Sequence, residues 1–443
     1  MKSKKTVFVD KFTNGILGPN VEFAGTVMNG GYIVAHTAPG CWGPMITPQL
    51  RGGHEVTRPV LVENAEVGDA IVIKVLSVSV ASEVTTSGTD CAKEGYYIGD
   101  PFVADVCPNC GTDYPASYAE GIGEDAVKCK KCGKPVSAFN MPNGYTIAFD
   151  AARKFALTLN KEGAEVAARN ASGLMAIPDN SVQHPIALFA KHDIVGLPAR
   201  LRPFIGQLGT TPPLEFPDSH NAGDFGQALL GAPHGYAKTE DELEQRTDGH
   251  LDVNRVRQGC MVICPVKIPG GGVYVGDVHA LQGDGEVAGH TCDVAAEVVL
   301  KVDVIKRLNL KGPLLLPLYE DLPYLARPFT EKEMQHIKEI SCAWGNVPVE
   351  SALPLAFIGS GATINAAADN AFTRASELLE LSYDEIRNRC TITVLFRLGG
   401  SLEQQLLPSW SLSLFLRKRA SLNMHAKCTA FELQWHHLTT PLF

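Results

Sequence analysis

The 443-residue sequence lacks a surplus of basic residues: 39 Lys and Arg stand against 48 Asp and Glu, a formal net charge of −9. A broad basic surface for nucleic acid is therefore not expected. The first twelve residues, MKSKKTVFVDKF, lack the apolar core of a secretory signal, and no apolar run is long enough to span a bilayer. Internal repeats and low-complexity tracts are missing as well. We expect a cytoplasmic protein that binds neither nucleic acid nor membranes.

Glycine and proline are abundant, with 42 and 28 residues, and they follow no collagen period. This composition favours many turns and short strands over long helices. Ala70–Val80 alternates apolar and polar residues near its end, and Ala295–Val304 alternates them along most of its length, as half-buried strands do. Tyr32–Val34 and Val60–Val62 are short β-branched runs bounded by turn residues. The sequence therefore predicts a mainly β fold.

Helix signals are confined to the C-terminal third. Thr330 and Glu333 form a capping box that opens a helix to about Ile340. An Ala-rich helix is predicted from Gly361 to about Leu381, and Ser382 caps a further short helix. The tail after about Val394 changes character, and its apolar segment from Trp410 to Leu416 fits a strand and an anchoring segment equally well.

Composition divides the chain into five predicted segments. They are an N-terminal β domain (1–105), a Cys-rich insertion (106–136), a β-rich catalytic region (137–320), a helical segment (321–393) and a tail of unassigned structure (394–443).

The Cys-rich insertion contains two C-x2-C pairs, Cys107 with Cys110 and Cys129 with Cys132, each followed by glycine. Each pair can present two thiolates from a tight turn, and four thiolates close a tetrahedral site. We therefore predict a structural zinc ribbon. A rubredoxin-like iron site and two disulfides are the alternatives. A closed four-thiolate site stabilises a fold and leaves no coordination position for chemistry.

The chain has twelve cysteines, and most of the other eight are expected to be buried packing residues. Cys260, Cys264 and Cys292 lie near the polar motif described next, and His290 stands two residues before Cys292. A nucleophilic-thiol mechanism is therefore an alternative. Among the remaining histidines, His54 follows two glycines and could reach a pocket, whereas most of the others, including His184, are expected to be structural.

A dense polar motif begins within the predicted strand Val273–Ala280. Strand periodicity places Asp277 and His279 on one face, about 7 Å apart along the chain. Gly283 and Gly285 permit a sharp turn that brings an acidic residue back towards them.

The acidic residue that this turn can bring back is Asp284 or Glu286. The amide of Gln282 lies in the same stretch. Two carboxylates, an imidazole and an amide suit a divalent metal or general acid–base chemistry. A polar hairpin end without function is the simpler alternative.

This motif, Gly276-Asp-Val-His-Ala-Leu-Gln-Gly-Asp-Gly-Glu-Val287, resembles the signature of the acetamidase/formamidase family. Asp248-Gly-His-Leu-Asp252 and the turn Glu63-Asn-Ala-Glu-Val-Gly-Asp69 are similar to further family segments, as is the helical part from Gly359 to about Arg389. The resemblance covers roughly residues 20–392.

The resemblance implies a mainly β fold with α+β parts: a jelly-roll-like β-sandwich core, an inserted zinc ribbon and a helical C-terminal segment. It also implies hydrolysis of formamide, acetamide or a related short amide to ammonia and a carboxylate. By position, Asp252, Asp277, His279 and Glu286 are expected to line the active site. His250 stands where the family usually has asparagine and could be a further metal ligand.

The expected mechanism uses a second divalent metal, Zn2+ or another, held by His279, Asp277 and Asp252, with Glu286 as general base. Gln282, Gly283 and Gly285 are assigned to substrate and oxyanion binding. We expect a homo-oligomer that acts on a small amide.

Two further features affect this interpretation. Residues 215–247, with His220, Asp224 and His234, are interpreted as an insertion near the approach to the active site. The alternative from another functional class is a non-catalytic binding protein, in which the ribbon is a docking module and the acidic strand a structural calcium site.

Overall fold

The computed structural model describes residues 2–40, 47–50, 54–93, 106–137, 139–184, 194–218, 230–231, 237–246, 249–286, 291–349, 354–361, 363–393, 396–399 and 410–417. His220, Asp224, His234 and His290, which the sequence singled out, lie outside the described residues.

Short strands dominate the described part of the chain. The strands are β1 Lys4–Val9, β2 Ile16–Leu17, β3 Gly25–Thr37, β4 Val60–Val62, β5 Ala70–Val80, β6 Val84–Ala92, β7 Ser117–Ala119, β8 Val127–Cys129, β9 Phe139–Phe149, β10 Phe155–Thr158, β11 Pro198–Arg200, β12 Phe204–Thr210, β13 Phe216–Pro217, β14 Met261–Pro265, β15 Val273–His279, β16 Asp293–Val294, β17 Ala296–Ile305, β18 Leu314–Leu316, β19 Pro354–Gly361, β20 Phe396–Gly399 and β21 Trp410–Arg417.

Helices are fewer, and the longest lie towards the C-terminus. They are α1 Lys161–Ala168, α2 Ala171–Met175, α3 Glu240–Leu243, α4 Glu331–Ala343, α5 Ile364–Leu379 and α6 Tyr383–Thr393, with single 3-10 turns at Glu124–Ala126, Tyr319–Asp321 and Tyr324–Ala326. Within the described ranges, no helix is long and apolar enough to cross a membrane. The predicted mainly β class is confirmed, whereas the jelly-roll arrangement stays a prediction.

Thirteen of the described strands form one large sheet. Its main path runs β12-β15-β4-β3-β17-β5-β14-β18-β19-β21-β20, with β1 paired to β3 and β16 to β15. At its centre β17 pairs antiparallel with both β3 and β5. The alternation that predicted β17 is also its burial pattern: Val298, Leu300 and Val302 are buried, while Glu297 is exposed. The main apolar core lies against this sheet.

A second apolar core joins the helical segment to the sheet. Phe357 of β19, Ala371 of α5 and Ile386 of α6 are buried together in it. Helix α5 approaches β19 so closely that a side chain at Gly359 would collide with the backbone of Ala367. The Ala-rich face of α5 permits this close approach.

Several sequence-based element predictions are confirmed. Strands β4 and β5 have the predicted bounds, and the Thr330 capping box opens α4, although that helix continues to Ala343. Helix α5 begins at Ile364, because Gly361 still belongs to β19 and Thr363 caps the helix by accepting from Ala366 N.

The large sheet takes strands from four of the five predicted segments, and the division of the chain into domains stays a prediction. In the tail, β21 pairs antiparallel with β19 and β20. The tail segment that the sequence left open between strand and anchor is therefore a strand here.

Candidate active site

The last residues of β15 bring Asp277 and His279 into a buried cluster of histidines and carboxylates. We call it the histidine–carboxylate cluster; its members are His54, His250, Asp252, Asp277, His279, Glu286 and Asp293, all at most 8% exposed. Strand β15 lies between β12 and β4, and it also pairs with β16 at the end that carries His279. Sheet neighbours on both sides therefore hold the two central side chains in place.

One imidazole nitrogen lies at the centre of three carboxylates. The Nε2 atom of His279 is 3.1 Å from Asp277 Oδ1, 3.2 Å from Asp293 Oδ1 and 3.6 Å from Glu286 Oε1. Phe204 packs against the His279 ring in a T-shaped contact, with ring centroids 4.8 Å apart. The imidazole is thus fixed by packing as well as by charge.

A second group of histidines borders Asp277 on its other oxygen. His250 Nε2 lies 2.9 Å from Asp252 Oδ2 and 3.9 Å from Asp277 Oδ2. His54 Nε2 lies 3.8 Å from the same Asp277 oxygen, and its ring centroid is 5.0 Å from that of His250. Asp277 therefore lies between His279 on one side and His54 with His250 on the other.

The backbone is in the left-handed region at both central aspartates, with φ 46° at Asp252 and 51° at Asp277. This conformation is unfavourable by about 1–2 kcal/mol for an L-residue, although aspartate tolerates it better than most. Strained backbone of this kind is enriched at functional sites.

Two glycines allow the backbone to pack against these carboxylates. A Cβ atom at Gly206 would lie 2.7 Å from both Asp252 Oδ1 and Asp277 Oδ2, and one at Gly40 would collide with Asp277. Neither position accepts a side chain without moving the cluster.

The turn after β15 is fixed to the segment that carries Asp252. Gln282 is hydrogen-bonded through Oε1 to His279 Nδ1 at 3.0 Å and donates from Nε2 to the carbonyl of Asp252 at 3.0 Å. Asn254 Nδ2 donates to the carbonyl of Gly283 at 2.6 Å, and Arg255 Nη2 lies 3.1 Å from Asp284 Oδ1.

This geometry gives the residues of the turn different surroundings. The Gln282 amide joins two parts of the site, which suits a positioning role. A Cβ atom added at Gly283 would meet nothing within 4 Å in the described part of the chain, so open space adjoins this residue of the turn. Gly285 has φ 119°, a conformation that favours glycine.

Burial and charge set the protonation of the cluster. Burial alone would raise the pKa of Asp277, but the neighbouring charges of His54 and His279 outweigh it and hold the pKa below its ordinary value. Burial would lower the pKa of His279, yet Asp277 and the other carboxylates raise it well above its ordinary value. Burial, with the charge of Asp252, raises the pKa of Glu286.

The cluster offers three overlapping sets of potential metal ligands, each with its donor atoms within 4.8 Å of one another. They are His54 with His250 and Asp277, Asp252 with His279 and Glu286, and Asp277 with His279 and Asp293. The buried Asp252 Oδ1 atom accepts no hydrogen bond from the described residues. Because a buried carboxylate oxygen needs a partner, and because imidazole and carboxylate donors suit Zn2+ and similar cations, the residues fit a divalent metal.

The structure brings together the predicted His250, Asp252, Asp277, His279 and Glu286, and it adds two residues that the sequence did not assign. Asp293 is the cross-strand partner of His279 in the β15–β16 pair. In the sequence, only its position beside the apolar run of β17 could have pointed to Asp293. The two glycines before His54 were the feature that pointed to that residue.

The four cysteines of the insertion converge as predicted. Cys107 Sγ lies 3.8 Å from Cys132 Sγ, and Cys110 Sγ lies 3.9 Å from Cys129 Sγ, with all four thiols free. A tetrahedral site with Zn–S bonds of about 2.3 Å has S···S edges of about 3.8 Å. A disulfide would need about 2.05 Å. The spacing therefore fits a four-thiolate metal site and not two disulfides.

The ribbon turns have matching geometry. Gly111 N donates to the carbonyl of Cys107 and Gly133 N to that of Cys129, each at 2.8 Å, and both glycines have φ near 66° (65° and 67°). The glycine after each cysteine pair thus closes a tight turn, as the sequence suggested.

The thiol alternative finds little support. Cys260 and Cys292 are completely buried, and burial raises the pKa of each thiol to about 12. A nucleophilic cysteine needs a thiolate at neutral pH, which these surroundings disfavour.

Fold and site together define a mainly β protein with a buried histidine–carboxylate centre suited to a divalent cation. The profile of the Acetamidase/Formamidase family matches residues 40–394. The chain belongs to this family, which confirms the sequence-based identification of a family of amidohydrolases.

Individual relatives agree with that assignment. A protein of Schizosaccharomyces pombe assigned as a formamidase is 32% identical over 74 residues, and the match spans 16% of this chain and only 18% of the length of that curated relative. The crystal structure of acetamidase from Yersinia enterocolitica has a TM-score of 0.51 at 16% identity and covers 94% of this chain and 93% of its own.

A recombinant predicted acetamidase/formamidase from Thermoanaerobacter tengcongensis also has a TM-score of 0.51 at 16% identity, with 98% of both chains covered. At these identities the two crystal structures show a shared fold.

Proposed function

We propose that the protein hydrolyses a short aliphatic amide, of the formamide or acetamide class, to ammonia and the carboxylate at the histidine–carboxylate cluster. The observation that carries the proposal is the buried His279 imidazole, whose Nε2 atom faces Asp277, Asp293 and Glu286 within 3.6 Å. Burying so many ionisable groups is unfavourable unless they bind something or react. Family membership supplies the reaction class.

We assign Asp252, Asp277, His279 and His250 as the residues that would hold a divalent metal, and we add His54. Such a metal would polarise the amide carbonyl and the attacking water as a Lewis acid.

Glu286 is the proposed general base. Its Oε1 atom lies 3.6 Å from His279 Nε2, the ring nitrogen that faces the carboxylates, so a water bound at the cluster would be within its reach. Glu286 would take the proton from that water and pass it to the departing nitrogen, since an amide expels its amine only after protonation. The backbone N–H groups of Gly283–Gly285 are the proposed oxyanion donors, and open space adjoins Gly283.

The four-cysteine ribbon is proposed as a structural zinc site, because four thiolates at tetrahedral spacing leave no open position. The docking-protein alternative gives no reason for a buried cluster of imidazoles and carboxylates. Family membership favours the enzyme.

The test is ammonia release from formamide and acetamide by the purified protein, together with its metal content. We expect turnover, two metal equivalents per chain, and loss of turnover when chelation removes the one that is not ribbon zinc. Substitution Glu286→Gln should lower turnover by at least about a hundredfold. The matched control is Glu165→Gln, an exposed carboxylate on α1.

Two results would contradict the proposal. One is a folded protein with ribbon zinc that releases no ammonia from any short amide. The other is a Glu286→Gln variant that retains full turnover, which would remove Glu286 from the role of base.

A further inference from the structure

Residues 181–184 contact the Cys-rich ribbon (residues 106–136) and also two segments that border the histidine–carboxylate cluster. On the ribbon side, the His184 Nε2 atom lies 2.8 Å from Ser117 Oγ, which is also 3.3 Å from Thr47 Oγ1. Ser117 is 2% exposed and is the cross-strand partner of the thiol ligand Cys129 in the β7–β8 pair. The contact therefore begins one strand away from the four-thiolate site.

On the other side, the same short segment holds a buried carboxylate next to the cluster. Ser181 Oγ donates to Glu55 Oε2 at 2.5 Å, and Val182 N donates to Glu55 Oε1 at 2.9 Å. Glu55 is 2% exposed and directly follows His54, whose Nε2 atom is 3.8 Å from Asp277. Fixing both oxygens of Glu55 fixes the backbone from which His54 projects.

A third contact reaches the opposite side of Asp277. Gln183 is 5% exposed, and its Nε2 atom donates to the carbonyl of Pro39 at 3.0 Å. The next residue is Gly40, whose backbone packs directly on the Asp277 carboxylate. Residues 181–184 thus bind two separate active-site segments that are close neighbours only in the folded chain.

We infer that residues 181–184 form a tie through which the ribbon positions His54 and Gly40 against Asp277. Ser117 and His184 are then positioning residues of the active site, although neither contacts the cluster. The ribbon is an active-site support in this arrangement, and not a separate stabilising appendage. The expected effect on turnover rests on the proposed amide hydrolysis. The expected effect on the position of His54 and Gly40 does not.

The contacts are suited to this purpose because they are short and largely shielded from solvent. A buried donor or acceptor left without its partner destabilises its surroundings. Displacing reacting groups by about 1 Å can slow a reaction by about a hundredfold. Loss of the Ser117–His184 contact is therefore expected to loosen the segments around residues 39–40 and 54–55 before it affects the central strands.

The test compares three variants at the ribbon end of the tie with a matched control. Ser117→Ala and His184→Ala remove one partner each, while His184→Gln keeps a side-chain amide that can still meet Ser117. The control is Lys131→Ala, an exposed ribbon residue that, in the described part of the chain, makes no hydrogen bond to residues 181–184. Zinc content and thermal unfolding are measured for each variant to establish that the ribbon is intact.

The first readout is hydrogen exchange, which does not require activity. We expect faster amide exchange in peptides covering 36–40 and 54–58 of Ser117→Ala and His184→Ala, with exchange in β17 unchanged. His184→Gln and Lys131→Ala should behave like the wild type. Unchanged exchange at 36–40 and 54–58 in both alanine variants would overturn the inference.

The second readout is steady-state ammonia release. We expect kcat to fall by about tenfold or more in the two alanine variants while KM changes less, because the substrate contacts remain and the reacting groups are misplaced. A wild-type protein that releases no ammonia would contradict the proposed function but leave the exchange result decisive for the tie. An active wild type whose alanine variants keep full kcat would overturn the tie's catalytic role.

Discussion

Asp277 and His279 stand two residues apart on β15, and yet Asp277 Oδ1 lies 3.1 Å from His279 Nε2. In a regular strand the two side chains would be about 7 Å apart at their origins. The left-handed backbone at Asp277 and the close approach of Gly40 and Gly206 bring the carboxylate into the centre of the cluster. Asp277 consequently has a carboxylate oxygen within 3.9 Å of each of His54, His250 and His279.

Removing the charge of Asp277 should therefore disable the whole site. Asp277→Asn keeps the size of the side chain, and asparagine tolerates left-handed backbone. We expect turnover to fall by at least about a hundredfold and the non-ribbon metal to be lost, because outer and inner ligands of a metal act as a unit. Ammonia release and elemental analysis measure both. Asp10→Asn, on the exposed surface, is the control, and a fully active Asp277→Asn variant would contradict the assignment.

The turn that carries Glu286 should depend on Asn254 and Arg255. Asn254→Ala leaves the carbonyl of Gly283 without its donor, and Arg255→Ala removes the ion pair with Asp284. We expect kcat to fall by about tenfold in each variant, with a smaller change in KM, since Glu286 would still be present but less well held. Steady-state ammonia release tests this.

Arg200→Ala, at an exposed position of β11, controls for the loss of an arginine. Equal kcat in all four proteins would show that the turn is held by other contacts.

The ribbon cysteines should bind one metal equivalent independently of the cluster. Cys129→Ser removes one buried thiolate, and a three-thiolate remnant should lose its zinc. We expect zinc content to fall by one equivalent per chain, measured by elemental analysis after gel filtration. Cys342→Ser, an exposed cysteine on α4, should retain full zinc. Zinc retention by Cys129→Ser would contradict the four-thiolate assignment.

Local sequence patterns predicted elements well where neighbouring residues decide the structure. The β-branched run of β5 and the capping box at Thr330 are both local signals, and the strand and the helix start are found where they were expected. The polar motif at the end of β15 was also visible, because Asp277, His279 and Glu286 lie within ten residues.

Contacts between residues that are far apart in the chain could not be predicted from the sequence. His54 lies more than 200 residues from Asp277 in the chain, and Asp293 reaches His279 only through the β15–β16 register. No periodicity links such positions, because their proximity depends on the order of strands in the sheet. The Ser117–His184 contact is of the same kind, since each residue alone resembles an ordinary polar residue.

Asp69, in the turn that resembles a family segment, should make stability depend on acid. It is 2% exposed, and its carboxylate accepts from Glu66 N at 2.8 Å, Arg307 N at 2.8 Å and Lys306 Nζ at 2.7 Å. Burial would raise its pKa, but these donors, with Lys306 foremost, outweigh burial and hold the pKa below its ordinary value. An ordinary aspartate has a pKa of about 4. As the pH falls through that value, the folded state therefore binds fewer protons than the unfolded state.

The stabilisation from Asp69 is therefore complete above that range and is lost as pH falls through the depressed folded-state pKa. At neutral pH, Asp69→Asn should lower the free energy of unfolding by about 1–2 kcal/mol, because charged hydrogen bonds are lost but the half-exposed Lys306 is partly screened. The difference from wild type should shrink between about pH 5 and pH 3. Urea unfolding at a series of pH values measures it, with Asp179→Asn as the exposed control; a difference that grows on acidification would contradict the assigned sign.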